Sequence, residues 1–212
     1  MLVDLSVKEF VSTVASSSPA PGGGSCSSLA SSIGCSLASM LCQLTFGKKT
    51  FEERSEQEKN KFQEAFALME KNAKELEALI DEDTSAFNQI MEAFKLPKES
   101  DEEKQSRSAA IQSATWNAIK VPLRMSDLSL SSLESMEILL EYGNANAISD
   151  LGVGILLLNA GLKGANMNVK INLASVKDKE KSAETLAHIN ANETRADQIT
   201  KDLTEKINQK LA

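Results

Sequence analysis

The chain has 212 residues, enough for one domain with a sizeable core, and is 42% hydrophobic and 25% charged, as globular proteins usually are. A net charge of −7, with no basic stripe interleaved with aromatics, argues against nucleic acid as a partner. Three cysteines (Cys26, Cys35, Cys42) without C-x-x-C spacing argue against a disulfide framework or a structural zinc site, and the single histidine, His188, lacks the partners for a histidine metal cluster or a Ser/His/Asp triad.

The first residues, Met1-Leu-Val-Asp-Leu-Ser, lack the basic and apolar regions of a signal peptide. The apolar run Leu151–Leu158 is too short to span a bilayer. The expectation is a cytoplasmic protein without membrane contact.

Nearly every segment reads as helix. Ser6 and Glu9 form a capping box, with Leu5 and Phe10 at the staple positions, and the helix they start ends in the serine run Ser16–Ser18. A loop follows, Pro19-Ala20-Pro21-Gly22-Gly23-Gly24-Ser25. A second helix, roughly Ser25 to Phe46, is rich in Ser, Ala, Gly and Cys, with Gly47 in the closing role and Lys48 and Lys49 beyond it. The cysteines there read as small buried hydrophobes.

A third helical stretch runs from about Glu52 to Phe94, long enough that a kink or break near Asp81–Ser85 is expected. Its apolar seam is Phe62, Phe66, Met69, Ala73, Leu76, Ile80, Asp83, Phe87, Ile90 and Phe94, in steps of four and three. Asp83 alone is charged. A buried carboxylate is costly unless hydrogen-bonded, and burial raises its pKa toward the range useful for proton transfer near pH 7. Two plain readings stand beside catalysis: an N-cap where the helix breaks, or a buried pair with an opposite charge.

Leu96-Pro97 stops this stretch, and the capping box Ser100–Glu103 opens a helix up to Lys120. Pro122 is expected to break or kink the path. Another helix reaches Tyr142, closed by Gly143-Asn144. The next begins near Ala147 and carries Ile148, Leu151, Ile155, Leu158 and Leu162 on one face. Val169–Leu173 alternates like a strand but sits in helical context. The last segment, from about Lys179, carries Leu186, Ile189, Ile199, Leu203 and Ile207. The prediction is an all-α, single-domain bundle of long helices spanning residues 1–212.

Several polar groups are candidates for binding. The loop Gly22-Gly23-Gly24-Ser25 opens a helix whose free N–H groups suit an anion or a polar heterocycle; a simple interhelical turn is the alternative, although a turn needs only one glycine. Asn144 and Asp150 lie in a polar cluster after Gly143, where Asp150 also suits a helix dipole. Asn168 and Asn172, four apart, share a helix face and suit the edge of a pterin or purine. Lys48 and Lys49 suit a helix C-terminus or a carboxylate tail.

Together these pieces resemble the cyclodeaminase/cyclohydrolase family of folate enzymes. The resemblance is carried, in order, by P-A-P-G-G-G-S (Pro19–Ser25), T-F-G-K-K (Thr45–Lys49), D-x-D-x-x-A-F (Asp81–Phe87), L-P-K (Leu96–Lys98), V-P-L (Val121–Leu123), G-N-x-x-x-x-S-D-L (Gly143–Leu151) and N-V-x-I-N-L (Asn168–Leu173). The family includes the C-terminal half of formiminotransferase-cyclodeaminase and stand-alone bacterial methenyltetrahydrofolate cyclohydrolases. The resemblance implies a homodimer acting on a tetrahydrofolate one-carbon derivative, including polyglutamylated forms, with no cofactor beyond that substrate and no metal. It implies catalysis by Asp83. Gly22, Gly23, Gly24, Ser25, Asn144, Asp150, Asn168 and Asn172 would form the pocket walls, with Lys48 and Lys49 at the glutamate tail. The expected reaction is cyclodeamination of 5-formiminotetrahydrofolate to 5,10-methenyltetrahydrofolate and ammonia. The alternatives are methenyl hydrolysis to 10-formyltetrahydrofolate, or a non-catalytic folate-binding or scaffold protein.

Overall fold

A computed structural model describes residues 1–212, and every regular element in it is helical. The helices are α1 (Val7–Val14), α2 (Gly23–Gln43), α3 (Lys49–Glu52), α4 (Glu56–Phe94), α5 (Asp101–Tyr142), α6 (Ile148–Leu173) and α7 (Lys179–Leu211), with 3-10 turns at Leu2–Asp4 and Ala145–Ala147. Ser6, Ser55 and Ser100 each receive the N–H three residues on, while Glu9, Glu58 and Glu103 reach back to them. The second of these boxes, Ser55–Glu58, has the same signature but lies inside the stretch read as continuous from Glu52. It separates the four-residue α3 from α4.

Helices α2, α4, α5 and α6 form a closed ring, α2 touching α4 and α6 and α5 touching both of the same neighbours, while α7 lies in the groove between α5 and α6. Leu76, Met125, Leu133, Met136, Leu151, Ile155 and Leu158 are fully buried at its centre. Each such side chain contributes roughly 1.5–3 kcal/mol. Helices α2 and α6 are long and apolar enough to cross a bilayer by length and composition, yet about half of each is buried within the bundle. Glycines and serines form the seam between them.

Two expectations about continuity are corrected. Helix α4 runs unbroken through Asp81–Ser85 for 39 residues, because Leu76, Leu79, Ile80 and Ala86 continue its buried face across that point. Helix α5 runs unbroken through Pro122 for 42 residues. The missing N–H and the ring cost one intrahelical bond, and burial of Ile119, Pro122, Met125 and Ser126 keeps the helix in place around it.

Hydroxyl groups set the register between α2 and α4. Ser25, Ser28 and Ser32 donate to the carbonyls of Ile80, Leu76 and Ala73 at 2.9, 2.5 and 3.1 Å. On the opposite side α2 meets α6 backbone to backbone. A Cβ added to Gly34 would lie 2.7 Å from the Gly154 carbonyl oxygen and 2.8 Å from Leu158. At the far end, Phe46, Phe51, Phe62 and Phe66 pack with ring centroids 5.0–5.7 Å apart, an arrangement that adds to their burial. Gly47 sits there with φ +75°, in the left-handed region that favours glycine.

The Gly34 seam has a measurable consequence. Gly34→Ala must push the α2 and α6 backbones apart and is expected to cost about 1–3 kcal/mol in chemical denaturation. Gly152→Ala, whose new carbon meets only Ile207 at 3.6 Å, is expected to leave stability unchanged or raise it by up to ~1 kcal/mol.

Candidate active site

Helix α2 has no side chain to cap its own start, since its N-cap is Gly22. A carboxylate from another helix takes that place. Asp83 on α4 lies against the first turn of α2, where the Ser25 N–H favours its anion, and its Oδ2 is 3.1 Å from the Ser25 hydroxyl, which also faces the Ile80 carbonyl. A side chain at Gly24 would overlap this carboxylate, so Asp83 occupies space that only glycine leaves open. Gly23 and Gly24 contribute first-turn N–H groups that lack intrahelical acceptors.

Opposing effects set the protonation of Asp83. Burial raises its pKa above the ordinary carboxylate value and is the largest influence, while the Ser25 hydroxyl and N–H favour the anion and pull it back. The positive end of α2 acts in the same direction as Ser25. The result is a half-buried acid with a raised pKa and no cationic partner. Cys26, on the next position of α2, has its thiol pushed up by burial and then by the Asp83 charge, so it is held away from the thiolate form. Cys35 and Cys42 are buried and free, with pKa values raised to about 11 and about 12 by burial.

Beside the carboxylate is a cavity of about 290 Å³. Gly22–Gly24 and Pro19-Ala20 form one wall, Asp83, Thr84, Phe87 and Ile90 another, and Ala118, Asn168, Ile171 and Asn172 the remainder. The tail of the α4 seam, Phe87 and Ile90, therefore lines a cavity, whereas Phe62 to Ile80 lies in or against the core. The Asn168 side-chain amide stands against Gly23, where a Cβ would lie 3.3 Å from its Nδ2, and it donates to the Gly164 carbonyl at 2.9 Å. No Lys or Arg lines this cavity.

The two acids of the D-x-D element point apart, as residues two positions apart on a helix must, about 200° around the axis. Asp81 accepts the Leu2 N–H at 2.6 Å and the Val3 N–H at 3.5 Å, tying the start of the chain to α4. A larger cavity of about 340 Å³ lies on that side, lined by Leu2, Val11, Leu29, Ile33 and Ile80 among others. Its lining is apolar apart from Ser32 and Glu77.

The candidates named from sequence fall into two sets. Gly22, Gly23, Gly24, Asp83, Asn168 and Asn172 meet at one cavity, with Ser25 fully buried behind the carboxylate. Ser25 contacts Asp83 and the α4 backbone, so its place is that of a positioning residue. Lys48, Lys49, Asn144 and Asp150 lie at the opposite end of the bundle, one 21-residue helix away, roughly 30 Å. There Asn144 donates to the Leu44 carbonyl at 3.0 Å and takes part in the turn with Thr45 Oγ1, while Lys49 faces Glu53 at 3.7 Å. Within one protomer these four do not reach Asp83. Thr84, Phe87, Ile90, Ala118 and Ile171 also belong to the cavity; Phe87 and Ile90 escaped the sequence reading because apolar residues on a helical stripe read as core, and Thr84, Ala118 and Ile171 carried no signal of their own.

A family model described as formiminotransferase-cyclodeaminase matches residues 6–191. The chain is 34% identical over 205 residues to a methenyltetrahydrofolate cyclohydrolase from Methylorubrum extorquens, covering 97% of each. It is 36% identical over 184 residues to a formimidoyltransferase-cyclodeaminase from Gallus gallus, covering 87% of this chain and 33% of that protein. A crystal structure of formiminotetrahydrofolate cyclodeaminase from Thermotoga maritima superposes with a TM-score of 0.81 at 29% identity, over 98% of this chain and 99% of that one. The all-helical fold, the carboxylate seated at a glycine-opened helix and these matches agree: the chain belongs to the formiminotransferase-cyclodeaminase family, whose members act on folate derivatives.

Proposed function

We propose that this protein is a formiminotetrahydrofolate cyclodeaminase with Asp83 as its catalytic residue. The observation that carries the reading is one half-buried carboxyl group with a raised pKa, held by Ser25 at the glycine-opened start of α2 and facing the cavity. In the reaction, N10 attacks the formimino carbon and gives up its proton, and the tetrahedral intermediate expels the formimino nitrogen as ammonia. The formimino group reacts in its protonated form, so the one further proton its nitrogen needs to leave as ammonia is the one N10 loses, and a single carboxylate that takes it and returns it closes the cycle. Gly23 and Gly24 N–H groups and the Asn168 and Asn172 amides supply polar contacts for the pterin, and Phe87, Ile90 and Ile171 supply its apolar walls. Hydrolysis is the second reading, favoured by the end-to-end match to a methenyltetrahydrofolate cyclohydrolase. There water attacks the methenyl carbon, the same carboxylate takes one of its protons and passes it to N5 as the bond to N5 breaks, and the second proton goes to solvent as the formyl group forms.

The purified protein is to be given 5-formimino- and 5,10-methenyltetrahydrofolate separately, with methenyl absorbance and ammonia release followed. Ammonia from the first substrate supports cyclodeamination, turnover of the second alone supports hydrolysis, and binding without turnover of either overturns both. Asp83→Asn is expected to keep tetrahydrofolate binding and lose about 10²–10⁴-fold in kcat. The same variant is expected to be at least as stable as the parent at pH 7. A carboxyl group whose pKa is raised by folding opposes folding as pH climbs through that value, and the amide carries no such cost.

Ser25→Ala removes a hydroxyl that favours the anion, so the Asp83 pKa rises further. The acidic limb of the kcat/KM profile is expected to move to higher pH, with the basic limb in place.

The assembly we infer is a homodimer. Ile33 and Met40 of α2 and Val153, Leu156, Met167 and Ile171 of α6 are exposed, and α2 carries no charged residue. Two helices about 30 Å long and 10 Å wide present roughly 600 Å² of such surface, close to the ~800 Å² per partner of a standard interface. A two-fold partner running antiparallel would bring its Lys48 and Lys49 toward the cavity that lacks a cation, where they suit the carboxylates of a polyglutamate tail. Leu156→Glu is expected to shift the protein from dimer to monomer in sedimentation; a parent that sediments as a monomer would refute the assembly.

A further inference from the structure

Arg107 stands apart from the other arginines of the chain. Arg54, Arg124 and Arg195 face Glu58, Glu75 and Glu134 at 3.7, 2.5 and 3.4 Å. Arg107, near the start of α5, pairs with no carboxylate. Its Nε and Nη2 donate to the Phe94 carbonyl at 3.2 and 3.0 Å, closing the end of α4, and Nη1 is uncommitted. Glu103, one turn earlier on α5, instead accepts the Glu99 and Ser100 N–H groups at 2.8 and 3.2 Å. The relation of Arg107 to the cavity follows from helix geometry. Phe87 and Ile90 line the cavity. Phe94 comes seven residues after Phe87, so it points within about 20° of the same direction on α4, and it is half exposed. The apolar stripe of α4 therefore runs out of the cavity onto the surface. At its end the Arg107 guanidinium stands 5.6 Å from the centroid of the Phe94 ring.

We propose that Arg107 holds the α-carboxylate of the first glutamate of the bound folate. The inference rests on the folate reading above and names how one part of that substrate is recognised. The one-carbon unit joins N5 and N10, so N10 lies at Asp83. From N10 the p-aminobenzoyl ring and its glutamate reach about as far as three or four extended residues, roughly 10–13 Å. Helix rise puts Phe94 about 16 Å beyond Asp83. Side chains on a helix lean back toward its N-terminus, so the Phe94 ring lies nearer the cavity than its backbone does. Laid along the stripe, the p-aminobenzoyl ring passes from Ile90 to Phe94 and the carboxylate arrives at the guanidinium. The cavity has no cation of its own, so the charge is met where the apolar stripe ends. A guanidinium with open N–H donors suits a carboxylate. The α-carboxylate is the one that stays free in polyglutamylated forms, whose next residue is joined through the γ-carboxylate. Lys48 and Lys49 of a second protomer then suit the residues beyond the first.

The test is calorimetric titration of the full-length protein with tetrahydrofolate and with tetrahydropteroate, which keeps the rings and lacks the glutamate. The parent is expected to bind tetrahydrofolate about tenfold more tightly than tetrahydropteroate. Arg107→Gln is expected to weaken tetrahydrofolate about tenfold, the loss of a charge-assisted hydrogen bond, and to leave tetrahydropteroate binding unchanged. Arg195→Gln removes the same charge from an arginine that pairs with Glu134, and is expected to bind both ligands like the parent. Arg107 also closes α4, so equal weakening of both ligands in Arg107→Gln marks a helix-end role and overturns the proposal. Unchanged tetrahydrofolate binding in Arg107→Gln overturns it too, as does equal binding of the two ligands by the parent or an equal loss in Arg195→Gln. In each of these cases the parent still binds tetrahydrofolate and the folate reading stands. A parent that binds neither ligand overturns that reading together with this one.

Discussion

Three serine hydroxyls hold the site in register. Ser25, Ser28 and Ser32 sit on one face of α2 and each donates to a main-chain carbonyl of α4. A hydrophobic contact tolerates sliding; a row of hydroxyl–carbonyl bonds does not, because a shift by one residue would leave three buried hydroxyls without acceptors. The ladder fixes which α4 residue meets the first turn of α2. That residue is Asp83, and the cavity follows from it. The remainder of the bundle serves to hold α2 and α4 at this spacing, α5 and α6 closing the ring and α7 covering the α5–α6 groove.

Much of this was legible in the residues, for reasons that can be named. The serine–glutamate boxes have local chemistry and mark helix starts wherever they occur, and the step of four and three on α4 exposed the one charge on an apolar seam. The glycine run pointed to a helix start with room beside it. Two kinds of information were not legible. Continuity through Asp81–Ser85 and through Pro122 depends on burial by neighbouring helices, a tertiary effect that overrides local breaking signals. Position along the bundle was hidden as well. Lys48, Lys49, Asn144 and Asp150 sit in motifs of the same family pattern as Gly22–Gly24, yet the antiparallel path of α2 and α6 sends them to the other end.

The chemistry of Asp83 comes from a balance in which neither side is complete. Burial raises the pKa of the carboxyl group, and the N–H and O–H donors around it lower it. Ser25 faces the carboxylate with its N–H and with a hydroxyl shared with the Ile80 carbonyl, so the anion-favouring influences are tied to one point of the backbone. An arginine or lysine in the cavity would remove the balance by pairing with the anion, and none lines it.

The α2–α6 seam also fixes how close the two helices stand. Gly34 faces Gly154, and Ser27 and Ser31 face Gly161 and Gly164, at distances that leave no room for a third side-chain atom. A larger residue anywhere on this seam would wedge the helices apart and carry the glycine turn and Asn168 with them. Even one added carbon at Gly34, Gly161 or Gly164 would overlap its neighbour across the seam. The cavity's apolar rim at Phe87 and Ile90 is different: a side chain can be exchanged there without separating the two helices.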